Sequence, residues 1–271
     1  MIPRSTVLVL LLGLLAACEP APVTGRSQMM LVSESEERQL GLQAYRQVVS
    51  SEPASHNVEF NAMVERVGRR IAAAAEHPPE DMWRAPHFQW EFRTIDQNQV
   101  NAFCLPGGKV AVYTGLMPIA QTEAGLAVVM GHEVAHALAR HGAERISNQM
   151  AASVGAAAVA NTLAATVGGR NRTYMPLVAG ALGAGASYGF LLPMSRAQES
   201  EADRIGLVLM AMAGYDPREG VALWERMRAA NARQPKQAEW LSTHPADTTR
   251  IADIRAHLPE AMKFYRSRAA P

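Results

Sequence analysis

The chain has 271 residues, enough for one sizeable domain with a hydrophobic core. Lysine and arginine together number 26 against 25 acidic residues, so the formal net charge is +1. The basic residues are scattered and form no block, which argues against a nucleic-acid partner. An apolar content of 48% that relies on alanine, valine and leucine, with only 6% aromatic residues, favours helices.

The first 17 residues are predicted to be a signal peptide. Arg4 precedes an apolar run from Val7 to Leu15 that is too short to span a bilayer comfortably. The run ends in Leu-Ala-Ala-Cys, which resembles a bacterial lipobox and implies cleavage before Cys18 and a diacylglycerol on its sulfur. A plain signal peptide is the alternative. The glutamate after Cys18 favours the outer membrane, so we expect a lipid-anchored protein on the periplasmic face of a bacterial envelope.

Residues 18–30 are rich in proline and polar side chains and are predicted to be a tether to a folded domain that spans residues 31–271. If Cys18 carries lipid, no cysteine remains to pair with Cys104. Cys104 is then expected to be a small core residue. A disulfide between the two cysteines is the alternative.

The elements that follow predict one α+β domain. Ser33 and Glu36 form a capping-box pattern before a helix, and residues 57–76 have apolar positions at helical spacing. Residues 88–95, FQWEFRTI, alternate as a strand. Residues 101–116, NAFCLPGGKVAVYTGL, read as a hairpin around Pro-Gly-Gly. A small antiparallel sheet therefore precedes a mainly helical remainder.

Helices dominate the rest of the chain. One is predicted to begin at Thr122 and Glu123 and to continue to about residue 150. Residues 150–194 form an insertion rich in alanine and glycine, uncharged apart from two arginines, which suits close helix packing or a lid. A membrane hairpin, and hence an integral membrane protease, is the alternative. Three further helices follow, the last after the turn at His244.

The segment GHEVAHALARH, residues 131–141, carries the chemistry. His132 and His136 lie one turn apart on the same helical face and can ligate one zinc ion. Glu133 can sit beside a water at the metal and act as its general base, since an open zinc site lowers the pKa of that water to about 7. The apolar AGLAVVM before the motif indicates a buried helix rather than a solvated one.

A catalytic zinc needs a third protein ligand. His141 comes one residue too early for an HExxHxxGxxH site, and a continuing helix would rotate it away, so it is expected to be a supporting or structural residue. In QESEAD, Glu199 and Asp203 share a helical face. Glu199 can ligate zinc, and Asp203 can accept a hydrogen bond from a ligating histidine. Glu201 points elsewhere and is expected to be solvated or paired with Arg204.

Two downstream residues are further candidates. His244 lies on a His-Pro turn. It could steady the oxyanion of a tetrahedral intermediate, occupy the open position of zinc and hold the enzyme inactive, or be an ordinary turn residue. Arg250 could pair with a carboxylate or orient substrate.

These motifs together resemble the M48 family of zinc metallopeptidases. The resemblance is carried by GHEVAHALARHGAER and SRAQESEADRIGL, and NAFCLPGGKVAVYTGLM, MAGYDP and STHPADTTRI recur in the family's order. It implies a gluzincin-like core and one zinc ion (Zn2+) per chain, held by His132, His136 and Glu199, with Glu133 as catalytic base. With the lipobox, the chain is similar to the periplasmic lipoprotein branch of the family.

The resemblance also implies a sheet edge above the cleft, where an extended peptide can pair through its main chain. The candidate edge is the second strand of the hairpin, and an interior position for that strand is the alternative. Its residues are Gly108, Lys109, Val110, Ala111, Val112 and Tyr113.

From these features we expect a zinc-dependent endopeptidase in which Glu133 activates the zinc-bound water. The resemblance implies misfolded or unassembled envelope proteins as substrates, with envelope assembly machinery as a further partner and the lipid on Cys18 as the membrane contact. The alternative is a zinc-containing holdase or assembly scaffold with a closed site.

Overall fold

The computed structural model describes residues 18–80, 82–153, 194–233, 244 and 248–266. The predicted signal peptide at 1–17 lies outside the described residues, and so does nearly all of the insertion predicted over 150–194. Of the helices in the described part of the chain, none combines the length and the apolar character needed to cross a membrane.

The described elements form a mainly helical α+β fold, which confirms the predicted class. Residues 141–153 are also helical, and a 3-10 turn covers Thr114–Leu116. The remaining elements, in chain order, are β1 (Cys18–Pro20), β2 (Ser27–Met29), α1 (Glu34–Ser51), α2 (Val58–Glu76), β3 (Glu91–Ile95), β4 (Ala102–Leu105), β5 (Lys109–Tyr113), α3 (Met117–Ala120), α4 (Glu123–Leu138), α5 (Arg196–Met212), α6 (Glu219–Arg233) and α7 (Thr248–Ala261).

Two of the helices in the described residues begin with complete capping boxes. Ser33 and Glu36 exchange side chain to backbone hydrogen bonds at the start of α1, as the sequence predicts. Ser195 and Gln198 do the same at the start of α5. The second box fixes the first turn of α5, which carries Glu199.

The three-stranded sheet has the order β3-β5-β4. The predicted hairpin is confirmed, because β4 pairs antiparallel with β5, and Gly107 and Gly108 in its turn have φ of 89° and 80°. The sheet is mixed rather than wholly antiparallel, because β3 pairs parallel with β5.

The predicted substrate edge, from Gly108 to Tyr113, is therefore wrong. Residues of β5 form ladders on both sides, with β3 and with β4, so β5 is the central strand of the sheet. All but the first of its residues are buried, as is typical of an interior strand. The edge strand that packs against α4 is β4.

The segment predicted to be a tether, residues 18–30, instead packs on the domain as a hairpin. β1 and β2 pair antiparallel, and Ala21 and Gln28 are buried. Proline and polar residues are common in linkers, but they also form tight turns, and Gly25 in this one has φ of 67°. Composition alone did not distinguish the two.

The core is built around α4. Every residue of this helix from Gly125 to Leu138 is buried, as the apolar AGLAVVM segment predicts. The helix packs against α2, β4 and α5, which surround it with the main hydrophobic cluster. Cys104 lies in that cluster as a buried residue without a disulfide, as predicted.

Candidate active site

Helices α4 and α5 approach each other closely where two glycines meet. A Cβ atom on Gly131 would lie 2.9 Å from the carbonyl oxygen of Gly206, and a Cβ on Gly206 would lie 2.9 Å from the amide nitrogen of His132. Real Cβ atoms avoid such distances, so a side chain at either position would push the helices apart. The glycines therefore let the α4 histidines reach the carboxylate on α5.

Four side chains, three of them on the two helices, converge as potential metal ligands: His132, His136, Glu199 and His244. The Nε2 atoms of His132 and His136 are 2.9 Å apart. Each also lies 3.5 Å from a carboxylate oxygen of Glu199. All four residues are 2% to 5% exposed, so the cluster is buried.

This arrangement fits a divalent cation. Both Nε2 atoms carry lone pairs when the opposite ring nitrogens hold the protons, and two lone pairs 2.9 Å apart repel unless a cation lies between them. Tetrahedral zinc with nitrogen ligands at about 2.0 to 2.1 Å requires ligand atoms about 3.3 Å apart, close to the spacings seen here. A nitrogen-rich set with one carboxylate is also the chemistry of catalytic zinc sites.

The orientation of His132 is set by Asp203, as predicted. The Nδ1 of His132 donates to Asp203 Oδ1 at 2.9 Å, which puts the lone pair of the ring on Nε2, the atom that faces His136. Burial alone would raise the pKa of the Asp203 carboxyl, but Arg250 and the hydrogen bond from His132 hold it well below its usual range. Asp203 is therefore a carboxylate throughout the neutral pH range.

Arg250 closes the site from α7. Its guanidinium donates to both oxygens of Asp203, at 2.7 and 2.8 Å, and lies 2.5 Å from Glu199. Its carbon Cζ also stacks 3.8 Å from the ring centroid of Trp224. Of the two roles considered for Arg250, these contacts match the pairing with carboxylates, and the side chain is buried among them.

His244 lies inside the cluster. Its Nδ1 is 2.8 Å from Glu199 Oε1 and 3.2 Å from the Nε2 of His132. Its Nε2 is 3.5 Å from Glu133 Oε1. An ordinary turn residue, one of the three alternatives, is expected at the surface. His244 is instead buried between the metal ligands and the predicted base.

Glu133 lies beside the cluster without joining it. It is buried, and its carboxylate is not among the four converging ligands. Burial, followed by the charge of Glu133, raises the pKa of the Cys104 thiol on β4. Glu133 thus adjoins the metal-binding side chains through His244, and its role as general base stays a prediction.

His141 and Glu201 are closer to the site than the sequence suggests. We expected a continuous helix to rotate His141 away, but α4 ends at Leu138, and Arg140 has φ of 56°, which redirects the chain. The Nδ1 atoms of His141 and His136 are consequently 2.7 Å apart.

Glu201 is neither solvated nor paired with Arg204. It accepts a hydrogen bond from His141 Nε2 at 3.2 Å, while Arg204 pairs with Glu260. Burial lowers the pKa of His141 and outweighs the opposing effect of Glu201, so the ring is neutral. His141, directly after the motif, was a local signal of this contact, but its direction depends on the helix break at Arg140.

Comparison with known proteins gives a family and several relatives. Residues 59–258 match the model of peptidase family M48. The chain is 36% identical to the mitochondrial metalloendopeptidase OMA1 of Schizosaccharomyces pombe, over 90% of this chain and 67% of that protein. It is 33% identical to that of Saccharomyces cerevisiae, over 91% and 71%. It is 28% identical to the beta-barrel assembly-enhancing protease of Escherichia coli, over 88% and 47%.

These relatives correct one prediction. The location that we inferred from the N-terminal segment, lipid-anchored at a bacterial outer membrane, is wrong on this comparison, because the relatives at 33% to 36% identity are mitochondrial. A four-residue lipobox is a short pattern, whereas the similarity extends over nine-tenths of the chain.

Proposed function

The chain belongs to peptidase family M48 and is a metalloendopeptidase, and we propose that zinc is its metal and that extended, unfolded polypeptides are its substrates. The observation that carries the proposal is the pair of buried Nε2 atoms, 2.9 Å apart and facing the Glu199 carboxylate, with Glu133 beside them. His132, His136 and Glu199 would hold the ion.

The residues around the metal have separate roles in peptide hydrolysis. When bound, the zinc ion polarises the scissile carbonyl and makes water a better nucleophile near neutral pH. Glu133 removes a proton from the attacking water and passes it to the leaving amine. Asp203 and Arg250 hold the ligands in place, and the burial of the cluster strengthens each of these electrostatic interactions.

The edge of β4 supports an extended substrate. The amide of Tyr113 donates to the carbonyl of Asn101, so these two residues are a hydrogen-bonded pair of the ladder. In an antiparallel ladder every second residue is hydrogen-bonded to the partner strand, and the residues between point their amide and carbonyl the other way. By this alternation the amide and carbonyl of Cys104 face away from β5, and no described strand pairs with that side of β4. A peptide added there would run beside Glu133 and would be recognised through its main chain.

His244 supports a second feature of the proposal, a closed resting state. Its Nδ1 lies 3.2 Å from the Nε2 of His132, within the 2.9 to 3.5 Å range of the other spacings among the ligand atoms, which suits a fourth ligand in the position where water must enter. The enzyme then becomes active when the His244 imidazole leaves that position.

Changing Glu133 to Gln tests the proposal. General acid-base catalysis contributes about 100-fold or more, so Glu133→Gln is expected to lower casein hydrolysis by at least that factor while zinc content is unchanged. Glu123→Gln is the matched control, because it makes the same change in the first turn of the same helix, away from the cluster. Full activity of zinc-loaded Glu133→Gln would contradict the proposal and would favour the holdase or scaffold alternative.

A further inference from the structure

The N-terminal hairpin is joined to the metal cluster by charged side chains. Arg26, beside β2, donates through Nη1 and Nη2 to the two carboxylate oxygens of Glu144, at 2.5 and 2.8 Å. Its Nε donates to Glu201 Oε2 at 2.9 Å, and the hydroxyl of Thr24 donates to the other oxygen of Glu201. One arginine thus bridges two carboxylates that belong to different helices.

Both carboxylates depend on this partner. Glu144 and Glu201 are buried, while the side chain of Arg26 is 28% exposed and covers them from outside. The Glu201 carboxylate accepts hydrogen bonds from three groups, the Nε2 of His141, the Nε of Arg26 and the hydroxyl of Thr24, and two of the three donors are on the N-terminal segment. A buried carboxylate that loses its cation pays a large desolvation cost, so undocking of the hairpin disturbs Glu201 directly.

Glu201 leads to the metal ligand through His141. A carboxylate can only accept, so the Nε2 of His141 donates to it at 3.2 Å. Two Nδ1 atoms 2.7 Å apart can share only one proton, so the Nδ1 of His141 offers a lone pair to His136. That lone pair accepts the proton on the Nδ1 of His136, 2.7 Å away. His136 is left with its lone pair on Nε2, the atom that faces His132.

The two histidine ligands therefore have matching supports. His132 is held by Asp203, which is held by Arg250 of α7. His136 is held by His141 and Glu201, which is held by Arg26 near the other end of the chain. Arg26 lies outside the residues matched by the family model, 59–258.

We propose that the hairpin of β1 and β2 is a positioning element of the metal site: Arg26, acting through Glu201 and His141, fixes the tautomer and ring direction of His136, so that hairpin docking and metal binding stabilise each other. This inference rests on the metal-dependent function proposed above. Loss of a hydrogen-bond partner of a metal-ligating histidine weakens metal binding by about 10- to 100-fold. Linkage requires that the metal favour hairpin docking by the same factor.

Zinc affinity of the full chain, measured by competition with a chromophoric chelator, tests the first half of the coupling. Arg26→Ala is expected to bind zinc about 10- to 100-fold more weakly, and Arg26→Lys, which keeps the cation, is expected to recover part of the loss. Arg38→Ala is the matched control, because Arg38 is exposed and pairs with Glu34 one turn away on α1. Folded Arg26→Ala with wild-type zinc affinity would overturn the proposal.

Hydrogen exchange in the wild-type chain tests the reciprocal half and needs no variant that must fold. Removal of zinc by a chelator is expected to speed exchange of the amides in residues 18–29, and added zinc is expected to restore protection. Glu133→Gln should show the same zinc-dependent protection, because it keeps every metal ligand. Unchanged exchange in residues 18–29 would overturn the proposal.

The two proposals fail in different ways. Suppose that the wild-type chain binds zinc and cleaves casein, but zinc does not change hydrogen exchange in the hairpin and Arg26→Ala does not change zinc affinity. That result would remove the positioning role alone. Wild-type chain that binds no zinc would remove both.

Discussion

The two histidine ligands show how single hydrogen bonds decide chemistry at the residue scale. Each ring can carry its proton on either nitrogen, and only the Nδ1–H form leaves Nε2 for a metal. Asp203 selects that form for His132, and His141 selects it for His136. The buried position of both acceptors makes the selection stronger than it would be in water.

Asp203→Asn is expected to weaken zinc binding by about 10- to 100-fold. The amide loses the charge that attracts His132 and leaves Arg250 with one fewer anionic partner in a buried site. Zinc affinity measured by chelator competition checks this. Asp216→Asn, which alters an exposed pair with Arg218, serves as control, and equal affinities for wild type and Asp203→Asn would show the prediction to be wrong.

His244→Ala is expected to increase casein hydrolysis severalfold at saturating zinc, because it frees the position that the His244 imidazole closes. Initial rates of wild type and variant, at equal zinc content, measure the effect. A fall in kcat with little change in KM would instead assign His244 to stabilisation of the oxyanion, the alternative that the sequence left open.

At the element scale, the decisive contact is between α4 and α5. Their glycines bring the backbones together, and the capping box of Ser195 and Gln198 fixes the turn that carries Glu199. The distance between a ligand on one helix and two on the other is thus set by packing several residues away from the metal. We expect this contact to be sensitive to the addition of one methyl group.

Gly206→Ala is expected to destabilise the folded chain by about 1 to 3 kcal/mol, because the new Cβ meets backbone atoms of Gly131 and His132 that cannot move aside. Urea unfolding of the zinc-loaded protein measures the change. Gly220→Ala is the matched control on α6, where the new Cβ meets only the flexible side chains of Leu207 and Ile254. Similar unfolding midpoints for the two variants would argue against a tight α4–α5 contact.

For the whole molecule, the cluster draws together distant parts of the chain. Arg26 of the N-terminal hairpin is linked to it through Glu201 and His141, and Arg250 of α7 contacts Glu199 directly. A metal that binds only the folded state therefore stabilises the packing of both regions, and stability should rise with free metal concentration.

Zinc at 100 times its Kd is expected to stabilise the folded chain by about 2.7 kcal/mol relative to the chelator-treated protein. Thermal unfolding at several fixed free zinc concentrations checks this. Glu133→Gln should shift as wild type does, since its carboxylate is not a ligand, whereas His136→Ala should lose most of the shift. A wild-type melting temperature that does not change with free zinc concentration would refute the prediction.

Predictions that depend on residues close together in the sequence succeeded more often than those that depend on distant residues. The HExxH helix, the Ser33 capping box and the Pro-Gly-Gly hairpin were predicted correctly, because each depends on residues within a few positions of one another. The support of His136 was missed, because one left-handed residue, Arg140, ended the helix and turned His141 back towards the site.

Sheet order, the docked hairpin and the place of His244 were decided only by tertiary structure. β5 and β4 carry similar apolar runs, so neither pattern tells which strand gains a second neighbour. The long-range contacts that complete the site join residues 45 to 177 positions apart, such as His244 with Glu199 and Thr24 with Glu201. The sequence by itself determined which side chains could bind a metal, and long-range packing, which no local pattern encodes, determined what holds them in place.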